Sequence, residues 1–361
     1  MNFSSPIFIV FHVSAFAFFV SVAFSGFMIH AGLLDQPEHR SNHAQAVPTA
    51  GGLGIAAGFG AGMLALALFY PSYGNQGLLG SLTALGLGAA LLGLFDDVYD
   101  VNSKLKFLAS TVLACASVYI IGPPQMFPLV VGGFPIPYWL GLIGAVLWIF
   151  VVTNGVNFMD GANGMMAGTM TISFVALCMV SVLVGASGAA LISFVMAAAL
   201  IGFLLYNFGN QAKIFSGDVG SLLVGFLFAS ASLLLVSETP VFGLLYVGPL
   251  LILPFLVDIL LTMFLRASRR ENLFAPHSTH LYQRLIRRGQ SHVTVSLLYG
   301  LAAFFMGVVT VAGLWFGMVR SVSFLAVWVC VLSMIYLAIY NKLSSHKRTN
   351  SRGKPQSPPD E

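Results

Sequence analysis

An all-α polytopic membrane protein of about eleven transmembrane helices is the fold class this sequence predicts, and three observations carry it. First, mean hydropathy is +0.90 over 361 residues, with 58% hydrophobic and 8% charged, which excludes an ordinary soluble domain. Second, apolar runs of about 20 residues, the length a bilayer demands, recur at roughly 7–33, 51–70, 79–95, 105–122, 137–156, 165–184, 187–206, 217–236, 241–265, 292–316 and 321–341. They lack strand alternation, and backbone groups in lipid must be satisfied internally, so they read as helices rather than barrel strands. Third, with eleven spans, 15 of the 16 Lys and Arg fall on one side, leaving only Arg320 on the other. The positive-inside rule makes that side cytoplasmic, with the N-terminus periplasmic and the C-terminus cytoplasmic.

The first run has no basic n-region and exceeds a typical signal-peptide h-region, so it reads as a permanent helix. A polar loop, "DQPEHRSNHAQAVPTAGGLG", joins it to the second. Arg40 and His43 there are candidate ligand contacts, and Gly51, Gly52 and Gly54 lead into the next helix. The third run ends in "GLFDDVYDVNSK", which places Asp96, Asp97 and Asp100 within five residues. If the helix continues one turn, all three share a face. Like charges there repel, and the C-terminal end of the helix dipole disfavours anions. A bare solvated helix end is one reading. Magnesium bridging to a phosphate is the other, since it takes one or two carboxylates plus substrate oxygens. Lys106 follows, placed to snorkel to headgroups or to neutralise a diphosphate.

At the end of the fifth run, "TNGVNFMDGANGMMAG" repeats polar groups every three residues, at Asn154, Asn157 and Asp160, among glycines. This suits a pocket for a phosphorylated ligand. The bland alternative is a small-residue packing seam. "FSGDVGSLLVG" opens the eighth run, where Asp218 is a candidate metal ligand, and Asp218 or Ser216 could equally cap the helix. Asp258 lies inside the ninth run, and intramembrane acids are functional candidates by default; a structural pairing is the competing reading. The loop after it carries "PHSTHLYQRLIRRG". If Pro276 starts a helix, His277 and His280 are one turn apart, with Arg284 on a basic side. An interfacial helix on lipid competes with pyrophosphate binding.

Eight acidic residues (Asp35, Glu38, Asp96, Asp97, Asp100, Asp160, Asp218, Glu271) share the basic side. Charge sorting does not explain that, so the chemistry is expected at the cytoplasmic face. One membrane domain covers 1–343, with cytoplasmic loops at 34–50, 96–104, 153–164, 207–216 and 266–291. Residues 344–361 read as a disordered cytoplasmic tail near anionic headgroups. The three scattered cysteines imply neither metal nor disulfide, and no nucleic-acid partner is expected.

Taken together, "DDVYD", "NGVNFMDGANG", "GDVGS" and "PHSTHLYQRL", in that order on one face, resemble the polyprenyl-phosphate N-acetylhexosamine-1-phosphate transferases of glycosyltransferase family 4. That family includes undecaprenyl-phosphate GlcNAc-1-phosphate transferase and phospho-MurNAc-pentapeptide translocase. The resemblance covers about residues 35–290. "NFMDGxNG" and "PHxxHxYQRL" are closer to the O-antigen and capsule branch than to the peptidoglycan branch. It implies transfer of a sugar-1-phosphate from a UDP-N-acetylhexosamine, a 6-deoxy sugar among the candidates, to undecaprenyl phosphate in the bacterial inner membrane. UMP leaves, and magnesium, or manganese in its place, assists. It implies Asp96 and Asp97 as the acidic pair, in metal binding or deprotonation. Asn157 and Asp160 match the central motif, Asp218 a metal ligand, His277 and His280 the histidine motif, and Lys106 a phosphate-contacting lysine; the expected site then has Asp96, Asp97 and Asp160 as catalytic acids, Asp97 and Asp160 beside Asp218 as metal ligands, and Asn154, Asn157 and Arg284 among the substrate contacts. A homodimer is compatible with it.

Two positions depart from the family pattern. Asn163 stands where many members have a second aspartate, and so cannot be a carboxylate ligand or base. Ala50 stands where relatives often carry arginine. Direct attack by the lipid phosphate is favoured over a covalent aspartyl intermediate. Two alternatives compete with this reading. A UbiA-like prenyltransferase would need a second Asp-rich motif. An ion-coupled transporter would gather its polar residues near the midplane, often within repeats.

Overall fold

The computed structural model describes residues 6–31, 50–129, 132–239, 241, 243–272 and 277–352. Arg40 and His43 lie outside them. Among the described residues ten helices are long and apolar enough to cross a membrane, or eleven if one bent pair counts as a single span. They are α1 (Pro6–Ala31), α2 (Gly52–Phe69), α3 (Gln76–Tyr99), α4 (Ser103–Ile121), α5 (Tyr138–Phe158), α6 (Met165–Val184), α7 (Ser187–Asn207), α8 (Gly217–Glu238), the pair α9 (Val247–Leu251) and α10 (Leu253–Ser268), then α12 (His292–Trp315) and α13 (Val322–Arg352), with the short α11 (Leu281–Arg287) before α12. The protein is therefore a multi-pass membrane protein.

The bent pair corrects the expected ninth span. A 3-10 turn at Leu244–Tyr246 leads into α9, and α10 departs from it at 74°. Pro254 sits in the first turn of α10. Proline is tolerated there but not inside a helix, because it lacks an N–H and clashes with the preceding turn. An unexpected element is a small hairpin between α4 and α5, β1 (Met126–Pro128) with β2 (Gly133–Pro135), antiparallel with Phe127 opposite Phe134. The Tyr246 hydroxyl donates to the Pro128 carbonyl, tying this hairpin to the start of the bent pair. At the other end of the chain, α13 runs nine residues past the expected domain edge at 343.

The core is organised around α8, whose apolar window is 94% buried and which touches α2 to α7 and α9. Its small residues allow this crowding. A Cβ on Gly225 would lie 2.8 Å from Thr153 Cα in α5, and one on Gly52 would lie 2.2 Å from Gly220 N. Gly93 is almost as tight against the start of α8, where a Cβ would lie 2.3 Å from the Asp218 carbonyl oxygen.

Helix starts buried in a bundle need partners for their free N–H groups. Those of α7 and α8 find carboxylates on other helices. Glu238 Oε1 and Oε2 accept from Gly188 and Ala189 N–H at the start of α7, both at 3.0 Å. Asp97 does the same for α8.

Gly93→Ala is expected to push α3 off α8 and cost about 1–3 kcal/mol, as overpacking does. Gly80→Ala on the same helix, with nothing within 4 Å of the added carbon, should leave the melting temperature unchanged or raise it. Thermal unfolding in detergent compares the two.

Candidate active site

α3 does not stop at 95 but runs to Tyr99, so Asp96 and Asp97 sit in its last turn and only Asp100–Asn102 separate it from α4. Asp100 is the cap residue with φ +48° and leaves the helical path, so the three acids do not share one face as expected. Asp96 Oδ1 accepts from Val101 N–H at 3.0 Å, closing the turn. α4, N-capped by Asn102 through Lys104 N–H at 2.9 Å, then carries Lys106 back over the acids.

Lys106 Nζ bonds Asp96 Oδ2 at 2.5 Å and also Asp218 Oδ2. Asp218 comes from α8, and its other oxygen accepts from Asn157 Nδ2 at 2.7 Å. The same Asn157 amide reaches Ser221 Oγ at 2.9 Å. Neither Asp218 nor Ser216 caps α8. Asp97 does so from α3, its Oδ1 accepting from Asp218 N–H at 3.0 Å and its Oδ2 from Val219 N–H at 3.4 Å. Asp160 lies just past α5, and Ser216 Oγ donates to its Oδ2. Burial of its carboxyl, with a smaller push from Asp218, raises the Asp160 pKa to about 7.

Four of the expected acids thus meet Lys106 and Asn157 at one end of the bundle. The neighbouring loop is set by amides. Asn207 Oδ1 accepts from Gly164 N–H at 2.9 Å, while its Nδ2 donates to the Ile214 carbonyl at 2.8 Å. Asn163 Nδ2 donates to the Gly209 carbonyl at 2.9 Å. A carboxylate at 163 would face that carbonyl instead, which gives the asparagine a structural reason.

Other expected contacts are placed elsewhere. Asn154 is buried and donates to the Phe150 carbonyl at 2.8 Å. His277 and His280 are not one turn apart on a helix, because α11 begins at Leu281 and His280 is its cap residue. His280 is 2% exposed and paired with Asp258. His277 is partly buried, and burial, with His280 and Arg266 nearby, lowers its pKa to about 4, so it is neutral near pH 7. Arg284 stacks on the Tyr340 ring, 4.1 Å from its centroid, and donates to the Tyr340 hydroxyl and the Thr279 carbonyl. A cavity of about 400 Å³ lies far along α8, by Ile121, Val236 and Thr239, and includes none of the acids.

The donors of the acidic cluster are hard oxygens, and two of its four carboxylates, Asp96 and Asp218, share one ammonium, so the residues fit an additional divalent cation. Among the described residues, however, no three Asp, Glu, His or Cys side chains gather as a metal cage would. The expected trio of Asp97, Asp160 and Asp218 is not assembled, because Asp97 is turned to the backbone of α8. The set fits magnesium's habit of taking one or two carboxylates and filling the rest with water and phosphate oxygens.

The model of Glycosyl transferase family 4 matches residues 79–236, which spans the whole acidic cluster. A probable undecaprenyl-phosphate N-acetylglucosaminyl 1-phosphate transferase of Bacillus subtilis (strain 168) is 33% identical over 282 residues, 75% of either chain. The chain belongs to this family. A decaprenyl-phosphate N-acetylglucosaminephosphotransferase of Mycobacterium tuberculosis (strain ATCC 25618 / H37Rv) is 33% identical over 294 residues, 74% of this chain and 72% of its own. A phospho-N-acetylmuramoyl-pentapeptide-transferase of Bacillus mycoides (strain KBAB4) is 30% identical over 243 residues, 62% of this chain and 74% of its own. Its relatives are thus polyprenyl-phosphate N-acetylhexosamine-1-phosphate transferases. Family membership sets aside the prenyltransferase and transporter alternatives.

Sequence reasoning missed Gly93, the capping role of Asp97, and Asn207. A glycine one turn before two aspartates was a signal for close approach at Gly93. Nothing local marks the other two.

Lys106→Met would leave Asp96 and Asp218 facing each other without a cation. The groups are partly exposed, so the expected loss is about 1–3 kcal/mol, below the 3–5 of a fully buried pair. Thermal unfolding in EDTA measures it, and magnesium should restore part of the loss. An unmoved melting temperature would show that Lys106 does not hold the cluster together.

Proposed function

We propose that the protein transfers an N-acetylhexosamine-1-phosphate from a UDP-sugar to undecaprenyl phosphate, releasing UMP. This would start a bacterial surface glycan, O-antigen, other lipopolysaccharide or capsule, at the cytoplasmic face of the inner membrane, with the N-terminus periplasmic. The observation that carries the reading is the convergence of Asp96, Asp218, Asn157 and Lys106 at one end of a membrane bundle, in a chain of this family. The GlcNAc-directed relatives make UDP-GlcNAc the first donor to try.

Two anions must meet, so charge stabilisation and positioning carry most of the rate. A lipid-phosphate oxygen attacks the sugar-bearing phosphorus. The bond from that phosphorus to the bridging oxygen breaks, and UMP leaves with the electron pair. Lys106 neutralises one anion. Asn157 orients Asp218. Asp160, with its pKa near operating pH, is suited to accept the lipid phosphate's last proton. Magnesium, or manganese in its place, would be held by Asp218 with Asp96 and would supply charge neutralisation to the diphosphate.

The test is UMP release by the purified protein with undecaprenyl phosphate, magnesium and a panel of UDP-N-acetylhexosamines. At least one donor should react, and Asp218→Asn should lose on the order of a hundredfold or more. No UMP from any donor would sink the reading. The rate should climb as pH rises through about 7, where Asp160 loses its proton, and Asp160→Asn should abolish that limb.

Linkage gives a second readout on Asp160. Its folded pKa lies above its unfolded value of 3.8, so the folded state binds more protons and its ionised form is penalised in the fold. In EDTA, Asp160→Asn should therefore raise the melting temperature above pH 7. The gain should shrink as pH falls from 7 toward 4. A constant offset across that range would contradict the assignment.

A further inference from the structure

α10 holds a buried carboxylate that the transfer chemistry does not use. Asp258 is 1% exposed, yet it is fully engaged. Its Oδ1 accepts from Leu281 N–H at 2.9 Å and Thr262 Oγ1 at 3.1 Å, and pairs with His280 Nδ1 at 3.3 Å. Its Oδ2 accepts from Tyr299 Oη at 2.6 Å and Tyr282 N–H at 3.4 Å. Leu281 and Tyr282 are the first two residues of α11. Asp258 therefore caps α11 from another helix, as Asp97 caps α8.

The chain of contacts continues to the acidic loop. The Tyr282 hydroxyl donates to the Phe158 carbonyl at 3.1 Å. It also fills the space beside Gly161, where a Cβ would come within 2.2 Å of it. Phe158 and Gly161 bracket Asp160. The His280 ring packs between Phe158, at 6.3 Å between centroids, and His277, at 5.0 Å. His280 is 2% exposed, with its Nδ1 turned to Asp258. His277 is more open, with its Nδ1 bonded to Thr279 Oγ1 at 3.1 Å. A lone buried charge is costly in a membrane span, and this one spends its bonds on aligning two segments of the site.

We propose that Asp258 is a positioning residue for the nucleotide half of the site: by fixing the start of α11, it holds His277 and the Asp160 loop in one geometry around a nucleoside diphosphate. This rests on the transfer reading above. Asp258 itself touches no substrate. Its removal should loosen donor binding and, through the Asp160 loop, lower kcat, while the Lys106 pairs with Asp96 and Asp218 that meet the lipid phosphate stay in place.

The experiment uses the full-length protein in detergent with UDP as the probe. Calorimetry with magnesium gives its affinity, and initial rates of UMP release give the KM for donor and for lipid separately. Asp258→Asn should weaken UDP by about tenfold, or 1.4 kcal/mol, and raise the donor KM to match, with the lipid KM unchanged. A merely structural role would shrink the folded fraction, lowering apparent kcat and leaving the affinity and both KM values alone. Tyr282→Phe, which removes the hydroxyl that bonds Phe158 and packs beside Gly161, should weaken UDP by a smaller factor and add nothing to Asp258→Asn, as expected of residues acting in one chain.

Unchanged UDP affinity in a folded Asp258→Asn, equal rises in both KM values, or a wild-type protein that binds no UDP would each overturn the proposal. If Asp258→Asn does not fold, Tyr282→Phe decides alone, and unchanged UDP affinity overturns it. A wild-type protein that binds UDP, loses it as described in the variants, and releases no UMP would support the positioning role and sink the transfer reading.

Discussion

The site depends on one constraint. A helix start presents four N–H groups that have no partner in their own helix. α8 starts beneath α3 at the open end of the bundle, and the two oxygens of Asp97 accept from two of these N–H groups, those of Asp218 and Val219. The bond fixes how far α8 extends and therefore where Asp218 stands. Gly93 lets α3 approach closely enough for it to form. With α8 so placed, Asn157 of α5 and Lys106 of α4 reach the two oxygens of Asp218. Three helices are registered on the fourth through two carboxylates, Asp97 and Asp218.

The same arrangement explains how four acids are tolerated together. The end of α3 is electrostatically poor for anions, but the start of α8 supplies roughly half a positive charge directly against Asp97. Lys106 adds a full charge between Asp96 and Asp218. What is left is a net negative site, partly open at the end of the bundle. Such a site favours cationic company and can receive phosphates only with it. Asp160 accepts a hydrogen bond from Ser216, and its burial shifts its titration to near neutrality. Asp258 repeats the capping device for α11, and Glu238 repeats it for α7. The protein thus uses acidic side chains on one helix to terminate another, and two of the three junctions border the proposed site.

Much of this was legible in the sequence, for identifiable reasons. Span number follows from hydropathy, which depends on composition alone. The acids stood out because charge is rare in this chain, and "DDVYD", "NFMDG" and "GDVGS" mark α3, α5 and α8 where they converge. The rest depended on direction and distance. Hydropathy cannot see a 74° bend, and Pro254 reads the same in a continuous apolar run as in a broken one. Capping between helices joins residues over a hundred positions apart, as Asp97 and Asp218 show. His280 and Arg284 looked like ligand contacts because they are polar in a polar loop; their partners Asp258 and Tyr340 come from spans on either side. The hairpin at Met126–Pro135 escaped because its strands are three residues long and proline-bounded.

The central claim is that Asp97 holds the start of α8, and amide hydrogen exchange at Asp218 and Val219 measures it directly. In the wild-type protein both amides should be protected. In Asp97→Ala, loss of about 1 kcal/mol of capping should speed their exchange by about fivefold or more, while the middle of α8 stays protected. Equal exchange at Asp218 and Val219 in the two proteins would contradict the account.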